Sequence, residues 1–388
     1  MSDEIQANAL ALLERLVAFE SQSERSNLPL IDFVEDYLRG HGVPVLRAPN
    51  PAGDKAALLA TIGPMVDGGI VLSGHTDVVP VEGQKWTSDP FALRRADARL
   101  YGRGACDMKG FDAIALAMVP SFKAAALRRP IQILLSYDEE TSCEGSLDFI
   151  RRFGADIPRP GVVIVGEPTM MEVADAHKSI ATFRTIVTGH EAHSAKPALG
   201  ANAVACACDI VSEIYRLARS YEAADRLNAR FDPPYSTLHV GTIHGGTARN
   251  ILARECVFHW EFRGLPGVST MAPLREVETY VEAVALPRLT RFVVGPTVET
   301  WVEADIPGLD ARPGSAAETL ALKLTRSNRT NAVSYATEAG QFQMAGLATV
   351  VCGPGSIDQA HKPDEFLELS QIESCIGFLQ RLAAEMAA

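Results

Sequence analysis

The chain has 388 residues, 47% of them hydrophobic and 22% charged, with a formal net charge of −12. That length exceeds one ordinary hydrophobic core, so two domains are expected, and the composition is that of a soluble globular protein. The acidic balance, with no basic block and no basic–aromatic interleaving, argues against nucleic acid as a partner.

The opening residues MSDEIQANALALLERL carry acids where a secretory signal needs Lys or Arg. No run reaches the roughly 18 apolar residues of a membrane span, so no membrane partner is expected either. Seven cysteines are scattered without a CxxC pair. Free thiols in a cytoplasm suit that pattern better than a disulfide framework.

In chain order, residues 5–19 place Leu10, Leu13, Leu16 and Val17 on one helical face, and residues 29–39 do the same with Leu30, Phe33, Val34 and Leu38 before stopping at Gly40. Strand-like runs follow at 56–62, 69–73, 131–137 and 161–166, with helical stretches between them at 109–126 and 145–153. Such alternation predicts an α/β sheet covered by helices. The middle of the chain reads as strand (180–188), helix (201–218), two strands (237–243 and 255–263) and a helix near 273–285. This order suggests a small α+β sandwich inserted into the larger domain. The insertion is placed at 179–291, with residues 1–178 and 292–388 forming the discontinuous first domain.

The chemistry gathers just after the apolar runs, where open α/β sheets bind ligands. Glu139 and Glu140 close the run LLSYDEE. Adjacent acids repel, and a cation nearby relieves the repulsion. If the strand continues through them, the two point to opposite sides and divide the work, one as metal ligand and one as general base. The spacing does not say which.

His75 and Asp77 follow the run at 69–72, and Asp77 could orient the imidazole of His75 toward a metal; the pair could also be an ordinary turn. Asp107, in YGRGACDMKG, could bridge two cations or cap the helix that follows. Glu167 and His361 complete a ligand set, although alone they would pass as a strand end and a loop residue. Mixed His and carboxylate donors suit zinc, cobalt or manganese.

The segments SGHTDVVP, GRGACDMKG, DEETSCEGS, GEPT, GHEAHSAKP, GTIHGGTARNI and GPGSIDQAHKPDE, in this order, resemble the signature of the M20 family of dinuclear metallopeptidases and deacylases. The resemblance implies a mixed-sheet catalytic domain and a ferredoxin-like inserted domain that closes over substrate and forms a homodimer. It implies two divalent ions, zinc first and cobalt second. His75, Asp107 and Glu167 would hold one ion, and Asp107, Glu140 and His361 the other.

Glu139 would then be the general base and Asp77 the group that orients His75. His193 would support the oxyanion in a partner subunit's site, unless it merely caps a turn. Asn250 and Arg263 would contact a substrate carboxylate, a task that suits the planar guanidinium. Some members carry a second acid where this chain has Met108, and many place a strained peptide there. Within the family, the runs YATEAGQFQMAG and VVCGPGSIDQAHKPDEF are most similar to the acetylornithine deacetylase branch. That likeness implies hydrolysis of N2-acetyl-L-ornithine to L-ornithine and acetate, a step in arginine biosynthesis. The alternatives are another N-acyl-amino-acid deacylase, a succinyl-diaminopimelate desuccinylase-like enzyme, a carboxypeptidase and, remotely, a non-catalytic binding protein.

Overall fold

Three apolar runs, Ala56–Ile62, Gly69–His75 and Ile131–Ser136, form strands in which every residue is buried. Strands of this kind need cover on both faces. In the computed structural model, which describes residues 2–223 and 227–388, helices supply that cover.

The large sheet has eight strands in the order Val45–Pro49, Ala56–Ile62, Ile131–Ser136, Gly69–His75, Pro160–Pro168, Ala348–Gly353, Ala174–His177 and Asn331–Val333. Gly69–His75 runs parallel to both of its neighbours, and Pro160–Pro168 is also parallel to Ala348–Gly353. Ala56–Ile62 and Val45–Pro49 are antiparallel, which makes the sheet mixed. Parallel register matters here: His75 lies opposite Ser136, and Ser73 lies opposite Val165. The residues that follow these strands therefore emerge along one edge.

The amino-terminal helix Ser2–Val17 packs on Lys109–Ala117, and Leu369–Ala387 packs on both. Their shared core includes Leu12, Leu16, Phe111, Ile114, Phe378 and Leu379. The single helix expected over 109–126 is two, Lys109–Ala117 and Val119–Ala124. Pro120, which has no backbone N–H to give, stands in the first turn of the second. A three-stranded sheet escaped the sequence reading. It pairs Phe366–Glu368 with Arg99–Tyr101, and Arg99–Tyr101 with Arg94–Ala96. Strands of three residues are too short to show a period.

The chain divides into two compact units. One comprises Met1–Ala176, Asp310–Ala332 and Thr337–Ala388, and the other His177–Leu309 with Val333–Ala336. The second unit has four strands, Ser179–Thr188, Thr237–Gly245, Glu255–Gly264 and Thr297–Ile306, with helices Ala203–Tyr221 and Ala272–Tyr280 between them. Each neighbouring pair is antiparallel, and the second strand of the unit lies at one edge and the fourth at the other. This is the ferredoxin-like βαββαβ order.

Alternation along Ser179–Thr188 and Glu255–Gly264 buries Phe183, Val187, Phe258, Trp260 and Phe262 against Ile210, Ile214 and Leu217 of the long helix. Phe183 and Trp260 stack at 4.1 Å, and the indole N–H reaches Thr185 at 3.0 Å. Asn202 caps the helix by accepting from the N–H groups of Val204 and Ala205.

The sequence reading closed this insertion at residue 291. Thr297–Ile306 nevertheless pairs along Ser179–Thr188, from Thr297↔Thr188 to Ile306↔Ile180. The unit's fourth strand thus comes from beyond that point, and the unit runs to Leu309. Only Ala304 and Ile306 of that strand are buried, so no apolar run marked it.

All seven cysteines are free, and Cys208 is the exposed one. Among the described residues, no helix is long and apolar enough to cross a membrane.

Candidate active site

The ends of three neighbouring strands of the first unit converge on one acidic cluster. His75 closes Gly69–His75, Glu167 lies near the end of Pro160–Pro168, and the Glu139–Glu140 pair follows Ile131–Ser136. His75 is 1% exposed and Asp107 5%. His75 Nε2 lies 3.0 Å from Asp107 Oδ1, 3.3 Å from Glu167 Oε1 and 4.0 Å from Glu139 Oε2. On the other side, His361 Nε2 lies 3.3 Å from Asp107 Oδ2 and 3.0 Å from Glu140 Oε2. One carboxylate, Asp107, thus faces an imidazole with each of its two oxygens.

His75 Nδ1 sits 2.9 Å from the main-chain carbonyl of Asp77. The N–H donates there, which turns Nε2 toward the acids. The sequence reading gave that orienting task to the Asp77 carboxylate. Its Oδ1 is 3.7 Å from the ring nitrogen, outside hydrogen-bond range. The carboxylate holds something else. Oδ1 accepts the N–H of Glu139 at 3.1 Å, and Oδ2 accepts that of Glu140 at 3.2 Å and the hydroxyl of Ser23 at 2.7 Å. The main chain of residue 77 orients the histidine, and its side chain fixes the glutamate pair.

That pair does not continue the strand, which ends at Ser136; Asp138 has a φ of 55° and starts a turn. The opposite-sides argument from strand alternation therefore does not apply. The two glutamates still separate, Glu139 toward His75 and Glu140 toward His361. Lys55 supports the turn from behind through Asp138 Oδ1 at 2.5 Å.

The Asp107 loop is held by a residue that sequence reasoning passed over. Glu365 Oε1 accepts the N–H groups of Cys106 and Asp107 at 2.8 and 3.0 Å, and Oε2 accepts that of Gly104 at 2.9 Å. Arg103 pairs with the same Oε2 at 2.7 Å, and both side chains are 1% exposed. Gly104, at φ +78°, lets the loop double back. The Asp107–Met108 peptide is cis.

The electrostatics are those of a cation site. Burial pushes Glu167 up to about 8 and Glu140 to about 7, with the negative charge of Asp107 adding to both. Burial likewise raises Glu139 well above the usual carboxylate range, helped by Glu167. Burial would also raise Asp107, yet the imidazoles of His361 and His75 hold it well below the usual range. Hydrogen bonds to Asp107 and Glu140 lift His361 to about 11. Burial works against a charged His75, and Asp107 and Glu167 overturn that, leaving it well above its ordinary value.

The donors fit divalent ions. Two groups, His75–Glu139–Glu167 and His75–Asp107–Glu140, each bring three ligand atoms within 4.8 Å of one another. Among the described residues, the buried Glu167 Oε1 has no hydrogen-bond donor. An orphaned carboxylate oxygen beside imidazole nitrogen is what a bound cation would satisfy.

The remaining predicted residues, His193, Asn250 and Arg263, belong to the second unit. His193 and Asn250 are exposed and adjacent: His193 bridges to Ile251, and Ser194 donates to the Asn250 carbonyl at 3.0 Å. Ala195 N–H donates to His193 Nδ1 at 3.1 Å, which fixes the ring over its own turn.

Arg263 is elsewhere. It lies opposite Ile180 and Thr237 and pairs with Glu261 at 3.1 Å. Asn250 precedes Glu255, the start of the strand on which Arg263 sits eight residues later (263 − 255). Eight residues of strand span about 27 Å, so within this unit Asn250 and Arg263 do not meet.

The solved structures that this chain resembles include human carnosine dipeptidase 1, at 17% identity over 100% of both chains and a TM-score of 0.74. An M20 family metallo-carboxypeptidase from Sulfolobus solfataricus is 16% identical over 98% of this chain and 99% of its own, with a TM-score of 0.76. A dinuclear metal-binding peptidase of the M20 family from Bacillus subtilis is 14% identical over 99% and 98%, with a TM-score of 0.65. At these identities the likeness is one of fold. The model of peptidase family M20/M25/M40 matches residues 71–385, which takes in every residue of the acidic cluster. The chain belongs to that family and is a hydrolase of amide bonds.

Proposed function

We propose that this chain removes the acetyl group from N2-acetyl-L-ornithine, releasing L-ornithine and acetate in arginine biosynthesis, with two divalent ions, zinc first and cobalt second. The observation that carries the chemistry is Asp107, bracketed by His75 and His361 with the glutamate pair beside it. His75, Asp107 and Glu167 would hold one ion, and Asp107, Glu140 and His361 the other. Bound there, the ions supply Lewis acidity to the scissile carbonyl and acidify the attacking water.

The protein's own groups do the rest. Glu139 accepts a proton from the water as its oxygen adds to the acetyl carbon, and returns it to the departing nitrogen as the C–N bond breaks. Burial and the neighbouring acids raise Glu139 above the usual carboxylate range, which makes it a stronger base than an exposed glutamate. Asp77 keeps the glutamate pair in register.

His193, from the inserted domain of a partner subunit, would donate to the developing oxyanion. The two ends of the insertion's sheet support this shared site. About 27 Å of strand is far longer than an acylated amino acid. If Asn250 and Arg263 both hold the substrate carboxylate, they come from different subunits of a homodimer.

The solved relatives include a dipeptidase and a metallo-carboxypeptidase, so peptides belong in the test beside acyl amino acids. Amine release from N2-acetyl-ornithine, N-acetyl-methionine, N-succinyl-diaminopimelate and a dipeptide should be followed before and after chelation and zinc add-back. Metal-restored activity strongest on N2-acetyl-ornithine is the expected result. A dipeptide as best substrate would retain the mechanism and overturn the substrate.

A further inference from the structure

His361 sits on a loop, with φ +60° and a side chain 53% exposed. Beyond its contacts to Asp107 and Glu140, its placement depends on what grips that loop. The carboxyl end of the loop is secured by Glu365 and by the pairing of Phe366–Glu368 with Arg99–Tyr101. Its tip is gripped by residues 84–87. Gln84 Nε2 donates to the main-chain carbonyl of His361 at 3.0 Å. Thr87 donates its N–H and its hydroxyl to Asp364 Oδ1 at 3.0 and 2.9 Å.

Gln84 is itself fixed by two donors on its oxygen, Arg103 Nη2 at 2.6 Å and Trp86 Nε1 at 3.0 Å. The Arg103 guanidinium lies 5.1 Å from the Trp86 ring and forms the buried pair with Glu365. A continuous chain of bonds therefore runs from the Asp107 N–H through Glu365, Arg103 and Gln84 to the His361 carbonyl. It ties the shared carboxylate to the more exposed imidazole. Among the described residues no comparable strap reaches His75, which the sheet register already places.

We propose that Gln84, locked by Arg103, is the positioning residue for His361, and that it selectively sets the affinity of the ion held by Asp107, Glu140 and His361. This rests on the two-ion reading above. Gln84 touches neither an ion ligand's side chain nor the reacting atoms, so it acts through the backbone of His361. Loss of an outer hydrogen bond that positions a metal ligand typically weakens metal affinity by about 10- to 100-fold.

Gln84→Glu separates the two halves of the strap. The new carboxylate keeps an acceptor for Arg103 and Trp86 and has no N–H for the His361 carbonyl. Zinc titration by calorimetry, with bound-ion counts after dialysis, should be run on the wild type, Gln84→Glu, Gln84→Ala and Thr87→Ala. Visible absorption of the cobalt-loaded proteins would report each site separately. Two ions per wild-type chain are expected, with both Gln84 variants weakening one ion about 10- to 100-fold and leaving the other unchanged. Thr87→Ala should shift the same ion by less.

Two unchanged ions in both Gln84 variants, or equal weakening of both ions, would overturn the role of Gln84 and leave the two-ion reading intact. Fewer than two ions in the wild type would overturn that reading and the strap with it.

Discussion

The two histidines of the acidic cluster are held in opposite ways. His75 ends a fully buried strand, is 1% exposed, and is aligned by parallel neighbours on both sides. His361 stands on a loop, half-exposed, and is aligned by long-range side-chain bonds. Each faces one oxygen of Asp107 at nearly the same distance, 3.0 and 3.3 Å. Similar geometry is thus reached by two constructions, one from secondary structure and one from loops. Secondary structure is cooperative and hard to loosen, whereas a loop yields to the loss of single contacts. Two donor sets that share Asp107 should therefore differ in how they fail.

Glu139→Gln would test the chemistry shared by both sides. It keeps the side chain's size and removes the base, so turnover should fall about 10²- to 10⁴-fold with ion content unchanged. Steady-state kinetics and metal analysis check this, and unaltered kcat would remove Glu139 as base.

The histidines themselves give the next largest effect and the sharpest contrast. His75→Ala leaves buried acids without their cation and should destabilise the metal-free protein by about 3–5 kcal/mol. His361→Ala, at a half-exposed position, should cost well under half of that in chemical denaturation. Equal losses would erase the distinction between strand and loop.

A smaller effect is expected at Asp77. Its two oxygens take three donors, from Ser23, Glu139 and Glu140. Asp77→Asn leaves one acceptor oxygen and introduces an N–H that faces other donors. Turnover should drop about tenfold to a hundredfold, with the His75 tautomer unchanged in the ring-nitrogen spectrum, because His75 is held by the main-chain carbonyl.

The pH dependence of stability comes last in size. Glu140, at about 7, and Glu167, at about 8, lie above the ordinary 4.5. A raised folded-state value gives stability that is complete below the unfolded value and lost as pH climbs through the folded one. His361, raised to about 11, acts in the same direction from 6.5 upward. Asp107, held low, has its contribution complete above its ordinary 3.8 and adds no slope there. Without metal, Tm should therefore fall from pH 5 to pH 9. With zinc the trend should flatten or reverse, because ion binding displaces the same protons. Identical trends in both forms would contradict the cluster's role as the ion site.

Much of the first unit was legible because its strands are continuous apolar runs. Ala56–Ile62 was read to the residue, and the acids that follow such runs had to emerge along one edge once the strands were parallel. Beyond the three-residue strands and the helix break at Pro120, three more features were not legible, each for a physical reason. Thr297–Ile306 is mostly exposed and carries no apolar period, so the end of the insertion was set too early. Asp77 was assigned by its spacing from His75, but the strand stops at His75, and the side chain turns instead to the Glu139–Glu140 turn. Arg103, Glu365 and Gln84 meet across more than two hundred residues of chain, as the separation of 262 between Arg103 and Glu365 shows. No local pattern announces such a meeting.

The most direct measurement is ion content against activity on one preparation. Metal-free protein would be titrated with zinc while bound zinc and amine release are followed together. Activity that appears only with bound zinc and reaches its maximum at two ions per chain is the expected result. Full amide hydrolysis in the chelated protein, or a maximum at one ion with no second site, would contradict the dinuclear hydrolase built around Asp107.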